Sequence, residues 1–196
     1  RVMPQLLLGL DYSMNRHQSK RDNHGAPAHS NVVMAGLGVG TYSGSFREVS
    51  PYRNKFTFNA DLGYGRWLDQ TNGAYVRLSN LTAQRRGEHN QSIHSLQAGY
   101  MLNVKSAITG ESTENDVFQL TTLLGASMNV ATRSGHGPTY APGLQAAVQT
   151  GVRVAPQVEI YLEPSVAAFG KTIERSHNSY PVEAMAKLSL GTKISF

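Results

Sequence analysis

Charged residues are the first candidates for chemistry in this sequence. They occur at alternating positions among small and apolar residues, which is the spacing of a strand with one polar face. The set comprises Asp61, Arg77, Arg153, Glu159, Glu163 and Lys187. A proton or ion path could use such residues, but buried charges also need partners simply to be tolerated. We predict a paired network, in which Glu159 and Glu163 lie beside Lys187, and Arg77 and Arg153 lie beside carboxylates such as Asp61.

A second candidate for chemistry is the dipeptide His94-Ser95, within the stretch HSLQAG at 94–99. A serine nucleophile needs a histidine base within hydrogen-bonding distance. The stretch resembles the His-x-Ser-x-Ala-Gly motif of lipid A deacylases, but here the serine follows the histidine directly. Adjacent strand residues point to opposite faces, so these two side chains cannot meet. His29-Ser30 fails in the same way, and we predict no catalytic residue.

The other histidines predict neither a metal site nor a cofactor. They lie in polar stretches, without cysteine or acidic residues at ligand spacing, at positions 17, 24, 29, 89, 136 and 177. The net charge is +5, with basic clusters at 16–21 and 85–86. No nucleic-acid-binding motif accompanies these clusters, so we predict no nucleic-acid partner. Basic loops beside anionic lipid head groups explain the charge more simply.

The elements that carry these residues are strands. The stretch 182–196 alternates strictly, with Leu188 and Leu190 on one face and Glu183 and Lys187 on the other. No apolar run reaches the roughly 18 residues of a transmembrane helix. Nine candidate strands are predicted, at 6–14, 31–46, 55–67, 74–85, 91–104, 117–130, 144–154, 158–170 and 182–196. Between them we predict a turn at 68–73, with Asn72-Gly73 as its tight-hairpin signal, and a polar connection at 105–116. We also predict a proline-containing loop at 135–143 and no amphipathic helix.

This pattern predicts an all-β fold, an antiparallel up-and-down transmembrane β-barrel. Such a barrel needs an even number of strands, and counting back from Phe196 gives eight within 31–196. The strand at 6–14 is then extra. Residues 1–30 form an N-terminal strand and polar loop that either packs outside the barrel or ends an upstream unit. An eight-stranded barrel is filled by side chains and holds no open channel.

The alternative is a soluble, lipocalin-like barrel that binds an apolar ligand in its interior. The same alternation fits that fold if the apolar face points inward. Two features favour the membrane barrel: the apolar face is almost free of charge, and short connections alternate with long ones. The two hypotheses make opposite predictions for Phe56, Phe58, Leu188 and Leu190, which face either lipid or a central core.

The last eight residues, SLGTKISF, resemble the C-terminal signal of bacterial outer-membrane barrels. The matching positions are Ser189, Gly191, Ile194 and Phe196. The resemblance implies a location in the cell outer membrane, with lipid and lipopolysaccharide around the barrel. It also implies recognition by the barrel-assembly machinery.

A longer stretch resembles the small outer-membrane barrel family of the Bacteroidetes. The likeness rests on LGYGRWL at 62–68, Gly73, RL at 77–78, NVKS at 103–106, Gly110, GLQ at 143–145, RV at 153–154 and LE at 162–163. The resemblance implies an eight-stranded barrel whose role in the family is poorly defined. We therefore expect a non-enzymatic structural or accessory component of a larger outer-membrane complex. The alternatives are a lipid A-modifying enzyme and the soluble ligand binder.

Overall fold

The computed structural model describes residues 30–43, 57–83, 91–110, 116–133, 136–170 and 182–196. Eight strands form one closed antiparallel barrel in which every strand pairs with its neighbours in sequence order. The strands are β1 (Asn31–Ser43), β2 (Thr57–Trp67), β3 (Asn72–Ala83), β4 (Gln91–Asn103), β5 (Phe118–Arg133), β6 (His136–Ala155), β7 (Val158–Gly170) and β8 (Val182–Ser195). The predicted up-and-down barrel of eight strands is confirmed. The predicted strand 6–14 lies outside the described residues.

The barrel closes where β1 pairs with β8. Val33 lies opposite Ile194, and the pairing continues to Ser43 opposite Ala184. Asn31 and Phe196 exchange two backbone hydrogen bonds of 3.0 and 2.9 Å at the end of this seam. No free edge therefore remains among the described strands, as a membrane barrel requires.

The two ends of the barrel differ. At the turn end, β6 and β7 are joined by a turn at 156–157, and β2 and β3 by residues 68–71. Residues 104–117 join β4 and β5 at this same end. The opposite end, where the connections 44–56, 84–90, 134–135 and 171–181 begin, is called the loop end here. The described residues contain no helix long and apolar enough to span a membrane.

The predicted turn at 68–73 occurs at 68–71, but Asn72-Gly73, predicted as its tight-hairpin signal, is not part of the turn. These two residues begin β3, and Gly73 lies opposite Trp67. The turn is held instead by Asp69, whose Oδ1 accepts hydrogen bonds of 2.7 Å from the backbone N–H groups of Thr71 and Asn72. An aspartate that bonds backbone groups two and three residues later stabilises a turn without a positive φ angle.

The predicted loop 135–143 is also wrong, because β6 already begins at His136. Its first residues pair with β5, whereas its pairing with β7 begins at Gly143. Pro138 and Pro142 therefore lie in a part of β6 that is paired on one side only among the described residues. Proline is tolerated at such an edge, since its missing N–H removes no ladder bond there.

A short helix, α1 (Val104–Thr109), interrupts the predicted polar connection 105–116. The Oδ1 of Asn103 caps its first turn by accepting from the N–H of Ser106 at 3.2 Å. Gly110 ends it with a φ of 69°, a left-handed conformation that glycine adopts without strain. The prediction of no amphipathic helix did not anticipate this short helix, because six residues are too few to show an amphipathic period.

Candidate functional site in the barrel lumen

The apolar face of the barrel points outward. Phe58 is 76% exposed and Leu190 is 60% exposed, whereas Lys187 and Glu163 are buried. Phe56 lies outside the described residues. An apolar exterior around a polar interior is the arrangement that a bilayer requires. It contradicts the soluble, lipocalin-like alternative, which needs the apolar residues inside.

Arg77 and Glu163 form the central ion pair of the lumen. They project from β3 and β7, and the guanidinium meets the carboxylate through two contacts, Nη1–Oε1 at 2.5 Å and Nη2–Oε2 at 2.9 Å. Gln149 donates a third hydrogen bond of 2.7 Å to Glu163 Oε2. The side chains of Arg77 and Glu163 are each only 1% exposed. Such a bidentate, solvent-free pair joins opposite parts of the barrel wall rigidly.

Asp61 is the centre of a second group. Lys187 Nζ lies 3.2 Å from its Oδ1, Asn59 Nδ2 donates to Oδ2 at 2.7 Å, and the Ser189 hydroxyl does so at 3.2 Å. Ser79 donates to Oδ1 as well. The carboxylate thus accepts four hydrogen bonds, which compensate its removal from water.

Glycines on β1 make this second group possible. Asp61 lies on β2 and Lys187 on β8, with β1 between them. The β1 residues that face the lumen there are Gly36, Gly38 and Gly40. A Cβ at Gly38 would lie 2.7 Å from the Cα of Ser189 and 2.8 Å from Asn59 Oδ1. Glycine is therefore required at Gly38 so that side chains from the two flanking strands can meet above it.

The third pair joins Glu159 to Lys193, at 2.8 Å, near the turn end. Arg153 is the register partner of Glu159, but among the described residues its side chain forms no salt bridge. The pairings therefore differ from those predicted. Lys187 binds Asp61 rather than Glu159 or Glu163, and Arg77 binds Glu163 rather than Asp61.

Two apolar clusters inside the barrel were not predicted. The turn-end cluster comprises Val32, Met34, Tyr75, Met101, Leu123, Ala147 and Tyr161. The loop-end cluster comprises Leu81, Ile93, Ala131, Ala141, Ala167, Phe169 and Met185. Along β7 the two clusters flank the polar layer at Glu163, with Tyr161 on one side and Ala167 and Phe169 on the other. Their residues share the polar face in sequence, and an isolated Met or Tyr among polar residues gave no signal for a cluster.

His94 and Ser95 lie on opposite faces of β4. His94 is exposed on the outer face, while Ser95 is buried and donates to Asn129 Oδ1 at 2.5 Å. The two side chains point to opposite sides of the barrel wall, as predicted. In the part of the chain that the structure describes, no group of three or more residues could hold a metal ion.

The residues that resemble the C-terminal signal lie on both faces of β8. Ser189 is buried in the lumen, whereas Ile194 and Phe196 are exposed on the outer wall, at 46% and 54%. Gly191 lies opposite Gly36 across the seam and opposite Tyr161 on β7. A Cβ at Gly36 would approach the Tyr161 hydroxyl to 3.0 Å, so the two glycines make room for that ring.

Comparisons with known proteins give similarities in structure alone. No protein-family model and no curated protein matches the chain. Neisserial surface protein A matches with a TM-score of 0.61 and 15% identity, over 85% of this chain and 97% of that one. Ail of Yersinia pestis matches with a TM-score of 0.52 and 14% identity, over 86% and 99%. OprG of Pseudomonas aeruginosa matches with a TM-score of 0.52 and 10% identity, over 88% and 98%.

These three proteins share a fold with the chain. That fold is the closed eight-stranded barrel of outer-membrane proteins, and its exterior here is apolar along the strands. Fold and surface together support an outer-membrane location, with strands that cross the bilayer and a lumen filled by side chains.

Proposed function

We propose that the chain is a non-enzymatic, integral outer-membrane barrel that serves as a structural or accessory component of a larger membrane complex. The observation that carries this proposal is the filled lumen. Three ion pairs and two apolar clusters occupy it, so the described barrel has neither a pore nor an arranged nucleophile. Its outer wall is then the surface on which a function depends.

One part of that wall supports docking of another membrane protein. A groove of about 880 Å³ extends over β5 to β8 and Thr41 of β1, and four of its eight outward lining residues are alanine. Its outward lining comprises Thr41, Leu124, Leu144, Ala146, Val166, Ala168, Ala184 and Ala186. Small side chains let a neighbouring backbone approach closely, and close van der Waals packing is the main attraction between protein segments in lipid.

Site-specific crosslinking in intact cells tests this proposal. The chain has no cysteine, so a single Ala168→Cys or Ala186→Cys variant provides one reactive thiol in the groove. Leu62→Cys on β2 is the matched control on another part of the wall, where Leu62 is 58% exposed. We expect a specific crosslinked partner from the groove and none from Leu62. Equal crosslinking from all three positions, or none from any, would refute the accessory role.

The C-terminal resemblance supports a further part of the proposal, recognition of β8 by the barrel-assembly machinery. Phe196 is exposed at the end of the seam, where a receptor could bind it before closure. We expect Phe196→Ser to reduce the amount of folded barrel in the outer membrane, while Ile160→Ser on β7 has a smaller effect. Folding of both variants into lipid vesicles without the machinery should be equally efficient. Equal assembly of both variants in cells would contradict this role.

The likeness at 62–68 supports a place among the small outer-membrane barrels of the Bacteroidetes. The alternative function, lipid A modification, has no geometric support among the described residues, since His94 and Ser95 face apart. Mass spectra of lipid A from cells with and without the protein distinguish the two functions. An altered acyl pattern would overturn the non-enzymatic proposal.

A further inference from the structure

Gln145 lies in the lumen among small neighbours. Its neighbours on the same wall are Gly143 and Ala147 along β6, Gly125 across on β5 and Ala167 across on β7. None of these four has an atom beyond Cβ, so none of them has a side-chain group that could bond the Gln145 amide. The side chain is 5% exposed, yet within the described barrel neither its Oε1 nor its Nε2 has a hydrogen-bond partner.

Three other lumen residues on nearby strands carry unpartnered polar atoms. Tyr75 on β3 pairs with Gly99 on β4, Gly99 pairs with Gly125 on β5, and Gly125 pairs with Gln145 on β6. Its hydroxyl reaches over these glycines, since a Cβ at Gly125 would lie 2.7 Å from it. Ser165 lies opposite Ala147 on β7, and Gln97 lies on β4. The Tyr75 and Ser165 hydroxyls and Gln97 Oε1 are buried and lack partners among the described residues.

We propose that this region, the Gln145 chamber, binds a cluster of internal water molecules. Buried polar atoms almost always have a hydrogen-bond partner, and in a polar cavity that partner is ordered water, which needs two to four such groups. Five unpartnered atoms on four residues, both donors and acceptors, meet that need. All four residues are uncharged, and the nearby charges are already paired, so the chamber offers an ion no compensation.

The chamber lies between the two apolar clusters. Residues that pair from strand to strand lead from Tyr75, in the turn-end cluster, to Gln145. The same pairing continues from Gln145 to Ala167 and Met185, in the loop-end cluster. The bound water is thus held inside the barrel, and its exchange with bulk water requires the apolar clusters to open.

Solution NMR of the full chain in lipid nanodiscs tests the proposal. The measurement is the rotating-frame Overhauser cross-peak between water and side-chain amide protons, whose sign separates proximity from proton exchange. We expect this cross-peak at the Gln145 amide. The control is the Asn129 amide, which is equally buried but donates to Ser127 Oγ at 3.0 Å and to the Ala141 carbonyl at 3.1 Å. We expect no cross-peak there.

A pair of variants checks the location. Ala167→Leu adds a bulky side chain to the chamber wall and should abolish the Gln145 cross-peak, whereas Ala168→Leu, on the outer face of the same strand, should leave it intact. Absence of the cross-peak at Gln145 in the natural chain would overturn the proposal. Cross-peaks at both Gln145 and Asn129 would indicate general penetration of solvent and would overturn it too.

Discussion

The ion pair between Arg77 and Glu163 gives the sharpest prediction. Glu163→Gln keeps the volume of the side chain but removes the carboxylate that pairs with the Arg77 guanidinium. The remaining described contacts of that group are the Met34 sulfur at 3.9 Å and the Tyr75 ring at 5.7 Å, neither of which replaces a carboxylate. Because both side chains are 1% exposed, water cannot solvate the guanidinium that remains. We expect the free energy of unfolding to fall by about 3–5 kcal/mol.

The assay is urea-induced unfolding of the barrel in lipid vesicles, followed by fluorescence. Trp67 is the only tryptophan in the sequence and packs against the turn-end cluster, so its emission reports the loss of that cluster. The control is Asp116→Asn, which breaks the pair of Asp116 with Lys105 at 2.6 Å. The side chains of that pair are 30% and 49% exposed, so its loss should cost less than about 1 kcal/mol.

A double variant separates the charge from the fold. Arg77→Met combined with Glu163→Leu removes both charges and fills similar space with apolar atoms. It should recover most of the stability that Glu163→Gln loses, because an apolar replacement of a buried pair is often neutral or stabilising. The reasoning is refuted if Glu163→Gln costs no more than Asp116→Asn, or if the double variant is as unstable as the single one.

Three further predictions follow from burial and spacing. Gly125→Ala should cost about 1–3 kcal/mol in the same unfolding assay, because its Cβ would lie 2.7 Å from both the Ala98 carbonyl and the Tyr75 hydroxyl. Gly137→Ala is the control and should be nearly neutral, because nothing lies within 4 Å of its Cβ. Leu190→Arg, on the lipid-facing middle of β8, should cost about 2–4 kcal/mol. Val154→Arg, near the end of β6, should cost only about 0–1 kcal/mol. Equal costs would contradict the orientation of the barrel in the bilayer. Phe169→Ala leaves a cavity in the loop-end cluster and should cost about 3–5 kcal/mol in the same unfolding assay. A cost below about 1 kcal/mol would contradict the packing of this residue inside the barrel.

The alternation in sequence predicts the strands well where one face of the strand meets lipid and the other face meets the lumen. Strand β7 was predicted at 158–170 and occurs there, because lipid and lumen select opposite residue types at each step. Pro138 and Pro142 misled the prediction, since sequence alone does not reveal that the start of β6 is paired on one side only.

The partners within the lumen could not be predicted. Arg77 reaches Glu163 from a strand that is not its neighbour, and Lys187 reaches Asp61 across the glycines of β1. Which side chains meet in a barrel depends on the stagger between strands, and the spacing of residues along one strand contains no information on that stagger. The same stagger gathers lumen-facing Met and Tyr residues from several strands into clusters that no single strand indicates.

The seam between β1 and β8 also constrains how the barrel reaches the membrane. Val33 and Ile194, which pair there, are about 160 residues apart along the chain, so this contact has a large loop-closure entropy and a low intrinsic rate. An open sheet in hydrocarbon would leave unpaired amide and carbonyl groups along its two edge strands, and each unpaired group would cost several kcal/mol. Insertion and closure must therefore be coupled, and a partly inserted chain gains most from a temporary strand partner that covers β1 or β8 until the two meet.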